Sequence, residues 1–137
     1  MNTIVIDTNI IISALIKDGA TRKILLDPKF NFIFPEYGLG EIYFYKDYII
    51  KKSKITEEEF DRLLLRMLKY VKLVPSDIIK KFRDLADNII GKIDKKDTVF
   101  IATALAFKCP IWSDDIHFKR QNKIKILTTP DIIKLIK

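Results

Sequence analysis

Asp7, Glu41, Asp97 and Asp115 are far apart in the chain, yet each stands where the local pattern puts the end of a strand or the start of a helix. Asp7 follows the apolar run Thr3-Ile4-Val5-Ile6 and precedes Thr8-Asn9, and Asp115 closes Pro110-Ile111-Trp112-Ser113-Asp114. In an open parallel sheet the ligand crevice lies beyond the carboxyl ends of the strands, so two strands ending in acids mark its place. Carboxylates gathered there repel one another and raise their own proton affinity unless a cation sits between them. A divalent ion such as Mg²⁺ takes hard oxygen ligands, usually one or two carboxylates plus water and substrate phosphate. Four acids suffice for one or two ions, and two ions about 4 Å apart can orient water for in-line attack on a phosphodiester. Singly, each acid also has a structural use: Asp7 and Asp97 as helix caps, Glu41 on an exposed helix face, Asp115 in a turn. Their conjunction is what points to a metal centre.

The elements that must position these acids alternate in type. Residues 4–6 read as a buried strand and residues 9–16 as a helix stopped by Asp18-Gly19. A short helix over residues 21–26 ends before Asp27-Pro28, because the residue before proline is pushed out of the helical region. Residues 32–34 form the next strand. Pro35 then opens one helix holding Leu39, Ile42, Tyr43 and Ile49, with Glu41 in its early turns. Thr56-Glu57-Glu58-Glu59 is a capping box for a helix over residues 57–70, and the two helices suggest a hairpin projecting from the sheet. Residues 71–74 are a third strand, and Ser76 or Asp77 caps a helix running to Ile90 before Gly91. Thr98 to Phe107 is so uniformly apolar that its helix must be central. Strands at residues 111–112 and 126–127 follow, and a last helix carries Pro130 in its first turn. Strands alternating with helices imply an α/β fold with a parallel sheet.

At 137 residues the chain is expected to form one domain, residues 1–137. No apolar stretch approaches the roughly 20 residues of a spanning helix, and the N-terminus enters a strand pattern directly, so a cytoplasmic protein without membrane association is expected. The single Cys109 excludes an internal disulfide and a cysteine-rich metal site. The formal charge of +7 is spread through lysine-rich clusters, which attract polyanions. Candidate nucleic-acid contacts among them are Lys80, Lys81, Arg83, Lys95, Lys96, Lys119 and Arg120. Basic surface around an acidic centre suits a nuclease.

Ile4-Val5-Ile6-Asp7-Thr8-Asn9, the helix-borne Glu41, the block from Asp97 to Leu105, and Trp112-Ser113-Asp114-Asp115-Ile116-His117-Phe118 resemble the four sequence blocks of PIN domains, metal-dependent ribonucleases that include VapC-type toxins. The resemblance spans essentially the whole chain. It implies a three-layer α/β sandwich with a five-stranded parallel sheet of order 3-2-1-4-5 and Mg²⁺ or Mn²⁺ as cofactor. It also implies that Asp7, Glu41, Asp97 and Asp115 are the catalytic acids and metal ligands. Asp94 would be an additional acid for a second metal. In the fourth block Ser113 takes the hydroxyl place, Asp114 the variable place and Asp115 the acid place. Thr8, Asn9 and Ser113 would orient carboxylates or water by hydrogen bonds, although Thr8 and Asn9 can instead cap the first helix. RNA, a cognate antitoxin and a second copy in a homodimer are the partners so implied.

Other readings stay open at this point. A PIN-like fold without catalysis would make an RNA-binding or assembly protein. A receiver-like phosphorylatable domain also gathers acids at strand ends and binds Mg²⁺, but it places its acceptor after the middle strand and a lysine after the last. Here those positions read Leu73-Val74-Pro75 and Leu127-Thr128-Thr129. Ser113 with His117, the only histidine, does not form a serine hydrolase, for there is no Gly-x-Ser-x-Gly turn. Trp112, Phe118 and Tyr43-Phe44-Tyr45 read as core and interface residues, with Tyr45 or Tyr48 able to stack on RNA where exposed.

Overall fold

The computed structural model describes residues 2–91 and 95–136. Asp94 lies outside the described residues, as does the side chain of Lys95. Five strands, β1 (Asn2–Ile6), β2 (Phe30–Pro35), β3 (Val71–Val74), β4 (Ile111–Trp112) and β5 (Ile126–Leu127), pair in parallel in the order β3-β2-β1-β4-β5, as the resemblance implied. Ile4, Val5 and Ile6 are all buried, which is what a central parallel strand covered on both faces requires. The register sets Ile6 beside Trp112, and the ladder continues one residue further as Asp7 N–H donates to the Trp112 carbonyl at 3.1 Å. Asp7 and Ser113 therefore leave the sheet side by side at the point where the strand order reverses, the position that opens a crevice in such sheets.

The helices between the first three strands are α1 (Thr8–Ile16), α2 (Ala20–Leu25), α3 (Gly38–Phe44), α4 (Lys46–Ser53) and α5 (Glu57–Met67). They pack together, with α1 touching all four of the others. On the way back to β4 come α6 (Ser76–Ile79), α7 (Arg83–Ala86) and α8 (Thr98–Phe107), with α8 lying on β1, β2 and β4 and contacting α6 and α7. The reversal of strand order puts these two groups on opposite faces, because each parallel crossover is right-handed. A final helix, α9 (Thr129–Ile136), packs on β5. Its entry is closed by a reciprocal pair, Asp131 accepting from Thr128 N–H at 2.9 Å and Thr128 Oγ1 accepting from Asp131 N–H at 3.3 Å. The core joins the layers through aromatic contacts, Phe34 on Phe100 at 6.1 Å and Phe100 edge-on to Phe118 at 6.3 Å.

Two helices differ from their sequence expectation. The single helix after Pro35 is broken at Tyr45 into α3 and α4. Past the break, Lys46 at the start of α4 reaches Glu57 at 2.8 Å and Asp61 at 3.4 Å and lies over the Phe60 ring, tying α4 to α5. The capping box of Thr56 and Glu59 forms as its spacing implies, but α5 stops at Met67. The helix expected over residues 76–90 is instead α6, a 3₁₀ turn at Lys80–Phe82, α7, and a π-helical turn at Asp87–Gly91. Ile79, Ala86 and Ile90, spaced seven and four residues apart, are buried along this stretch, which contacts α8.

Candidate metal centre at the switch point of the sheet

Asp7 ends β1 with its residue 5% exposed. Its Oδ1 accepts from Asn9 N–H at 3.3 Å, the capping bond of α1, and its Oδ2 accepts from Ser113 Oγ–H at 2.7 Å. Capping and the site are thus compatible uses of one carboxyl group. Burial raises its pKa from 3.8 to about 6, against the lowering effect of the Ser113 and Asn9 hydrogen bonds and with a further rise from the charges of Asp115 and Glu41. Those two acids therefore lie close enough to act on Asp7 through space. Thr8, also buried, donates from Oγ1 to Glu41 Oε1 at 2.9 Å and so fixes α3 to the end of β1. Glu36, the other acid near this helix, is engaged elsewhere: its Oε1 accepts from Ser76 N–H at 3.1 Å. Asn9 contributes a backbone N–H while the residue itself is exposed.

Asp97 immediately precedes α8 and is buried, yet its side chain makes no capping bond to that helix. Asp115 Oδ1 accepts from His117 N–H at 2.9 Å, opening the 3₁₀ turn Ile116–Arg120, and Phe118 locks that turn by packing fully buried against Phe100 of α8. One packing contact thus brings the turn after β4 and the helix after Asp97 together. As a result, ligand atoms of Asp97, Asp115 and His117 lie within 4.8 Å of one another. His117 Nδ1 is 3.5 Å from Asp115 Oδ1. Sequence reading weighed His117 only as a partner for Ser113. The signal that would have found it is its place two residues after an acid in a turn pinned by an aromatic.

Ser113 Oγ accepts from Asp115 N–H at 3.0 Å while donating to Asp7, so one hydroxyl spans the ends of β1 and β4. Asp114 points the other way: it accepts from Thr129 N–H at 2.7 Å and Thr129 Oγ1–H at 2.6 Å, holding the start of α9. The site therefore contains Asp97, Asp115 and His117 in one cluster, with Asp7 joined to it by Ser113 and Glu41 joined to Asp7's neighbour Thr8. A donor set of carboxylate oxygens with one imidazole fits a divalent cation.

The PIN domain profile matches residues 5–131. The chain belongs to the PIN domain family. The crystal structure of VapBC2 from Rickettsia felis bound to a DNA fragment from their promoter shares the fold, with a TM-score of 0.66 over 92% of this chain and 98% of that chain at 18% identity. No curated protein matches the chain significantly.

The surface of this PIN domain beside the acids is aromatic. A cavity of about 330 Å³ is lined by Tyr37, Gly40, Glu41, Phe44, Tyr45 and Lys96. A narrower recess of about 100 Å³ shares Tyr37 and Lys96 and includes Arg83. Trp112 and Phe118 are fully buried as expected, but Tyr43, Phe44 and Tyr45 are exposed. Lys80, Lys81, Arg83, Lys96, Lys119 and Arg120 are all exposed, with Lys119 and Arg120 in the turn that also carries His117. Among the described residues, no helix is long and apolar enough to cross a membrane.

Proposed function

We propose that this PIN domain, one unit over residues 1–137, is a metal-dependent endoribonuclease that hydrolyses RNA phosphodiester bonds in the cytoplasm as the toxin of a toxin–antitoxin pair. The observation that carries the reading is the convergence of Asp97, Asp115 and His117 ligand atoms within 4.8 Å at the switch point, beside the buried Asp7. Clustered acids destabilise a fold that has no use for them, so a non-catalytic PIN protein leaves them unexplained. Asp97, Asp115 and His117 would hold Mg²⁺ or Mn²⁺, with Asp7 and Glu41 adjoining. When bound, the cation supplies positive charge that stabilises the phosphodiester as negative charge develops on its oxygens. Ser113 holds Asp7 and the Asp115 backbone in fixed relation, and Thr8 orients Glu41. Exposed lysines and arginines would draw the polyanion in. The fold likeness to VapBC2, which is bound to promoter DNA, supports a cognate antitoxin as partner, and a homodimer accompanies this reading.

The test is cleavage of single-stranded RNA by the purified full chain. Cleavage should require Mg²⁺ or Mn²⁺, stop with EDTA, and fall at least a hundredfold in Asp97→Asn, with Mn²⁺ binding by calorimetry weakened in the same variant. Cleavage that persists after rigorous metal removal would sink the metal mechanism.

A further inference from the structure

Phe44 is 81% exposed and Tyr37 62%, although both sit beside a charged site where such surface has no packing role. Large exposed apolar surface of this kind marks a contact site. Phe44 stands edge-on to Tyr45, with ring centroids 5.0 Å apart and planes at 88°. Their cavity has a bare floor, since a Cβ built on Gly40 meets no atom within 4 Å. Glycine on a cavity wall permits close approach of a ligand to the backbone. One wall is Glu41, bonded to Thr8 next to Asp7, and another is Lys96, next in sequence to Asp97. The cavity thus adjoins the acids through Glu41 and Lys96, and its volume of about 330 Å³ is that of a site for one small planar group and its attachment.

We propose that this cavity is a base-stacking subsite, receiving a nucleobase adjacent to the phosphodiester presented to the acids. The proposal rests on the ribonuclease reading. A nucleotide answers the rings and the cations together: its flat face can stack on Phe44 with Tyr45 at its edge, and its phosphate can meet Lys96 and Arg83 in the neighbouring recess. An apolar side chain of a protein partner answers the rings alone. Stacking engages the π-face that every base shares, so the subsite favours stacking strength, purine over pyrimidine, above any base identity.

The experiment uses the full chain carrying Asp115→Asn, so that RNA is not cleaved, and measures anisotropy with a labelled RNA oligonucleotide and with an abasic ribose-phosphate oligomer of the same length. Phe44→Ala and Gly40→Leu, at positions where the structure leaves room, are added to this background, and their melting temperatures report folding. Each should weaken RNA binding about tenfold while leaving the abasic oligomer unaffected, and Phe44→Trp should restore it. RNA binding unchanged in both variants overturns the subsite and leaves the ribonuclease reading standing. So does unchanged RNA binding combined with a dimer-to-monomer shift in ultracentrifugation, which makes the face a contact between copies. A parent chain that binds no RNA, together with a wild type that cleaves none, removes the ribonuclease reading and the subsite with it.

Discussion

Asp7 is pulled toward ionisation by two hydrogen-bond donors and toward neutrality by burial, and burial prevails, with a pKa of about 6. The folded state then holds a proton more tightly than the unfolded chain. Stability contributed by Asp7 is present at acid pH, is lost as pH rises from about 4 through 6, and becomes a constant penalty above that. A displacement from 3.8 to about 6 corresponds to about 3 kcal/mol. Asparagine is also a good helix N-cap, so Asp7→Asn should raise the melting temperature of the metal-free protein at pH 7.5, by a margin that shrinks toward pH 4.5. Melts in EDTA at both values check this, and a variant less stable at pH 7.5 would show that the cap needs the charge. The pair Asp114 and Asp115 separates structure from chemistry in the same way. Asp114→Asn removes charge from two bonds to Thr129 and should cost about 1 to 2 kcal/mol in urea unfolding with little effect on cleavage. Asp115→Asn should lower cleavage at least a hundredfold in a folded protein. Reversed effects would mean the fourth sequence block is misaligned by one residue. The acids were legible because a carboxylate closing an apolar run stands out locally. His117 was not, since only the burial of Phe118 against Phe100 carries its turn to Asp97.

At the scale of elements, the placement of Glu41 depends on a glycine. A Cβ on Gly38 would come within 2.2 Å of the tip of the Phe34 ring, and that ring is fully buried against Phe100 and has no room to retreat. In Gly38→Ala, α3 must therefore move, carrying Glu41 away from Thr8. The expected result is destabilisation by about 1 to 3 kcal/mol with weakened metal binding, as for other overpacked contacts. Gly40→Ala, two residues on in the same helix and facing open space, should be neutral or stabilising by up to about 1 kcal/mol. Urea midpoints for the two proteins decide it, since equal effects would mean that helix propensity and not the Phe34 contact governs the site. The same contrast explains which elements the chain announced. Thr56 and Glu59 cap α5 through bonds within four residues, and the strands end where their apolar runs end, so both could be read locally. The break at Tyr45 and the mixed pitch of residues 76–91 have no such local mark: no proline or glycine stands at Tyr45, and Ile79, Ala86 and Ile90 keep the spacing of an ordinary helix.

At the scale of the whole molecule, two buried acids sit within a basic surface. Asp7 and Asp97 are buried at the switch point, while Lys80, Lys81, Arg83, Lys96, Lys119 and Arg120 are exposed, and the chain keeps a net +7 despite its acidic centre. Such an arrangement can draw a polyanion toward a site that would otherwise repel it. A solvated lysine-rich surface has the same net charge, so composition alone cannot separate the two, whereas counterion release can. Each phosphate neutralised on a single strand contributes about −0.7 to the slope of log affinity against log salt. If Arg83 and Lys96, which line the recesses beside Glu41, contact phosphate, replacing both by glutamine should flatten that slope by about 1.4. Replacing Lys51 and Lys52 in the last turn of α4 removes the same formal charge from a different element and should leave the slope nearly unchanged. The titration is made with Asp115→Asn chains and single-stranded RNA from low to physiological salt. Equal flattening by the two pairs would assign the attraction to net charge spread over the surface, and a parent slope near zero would leave the lysines as a solvated face.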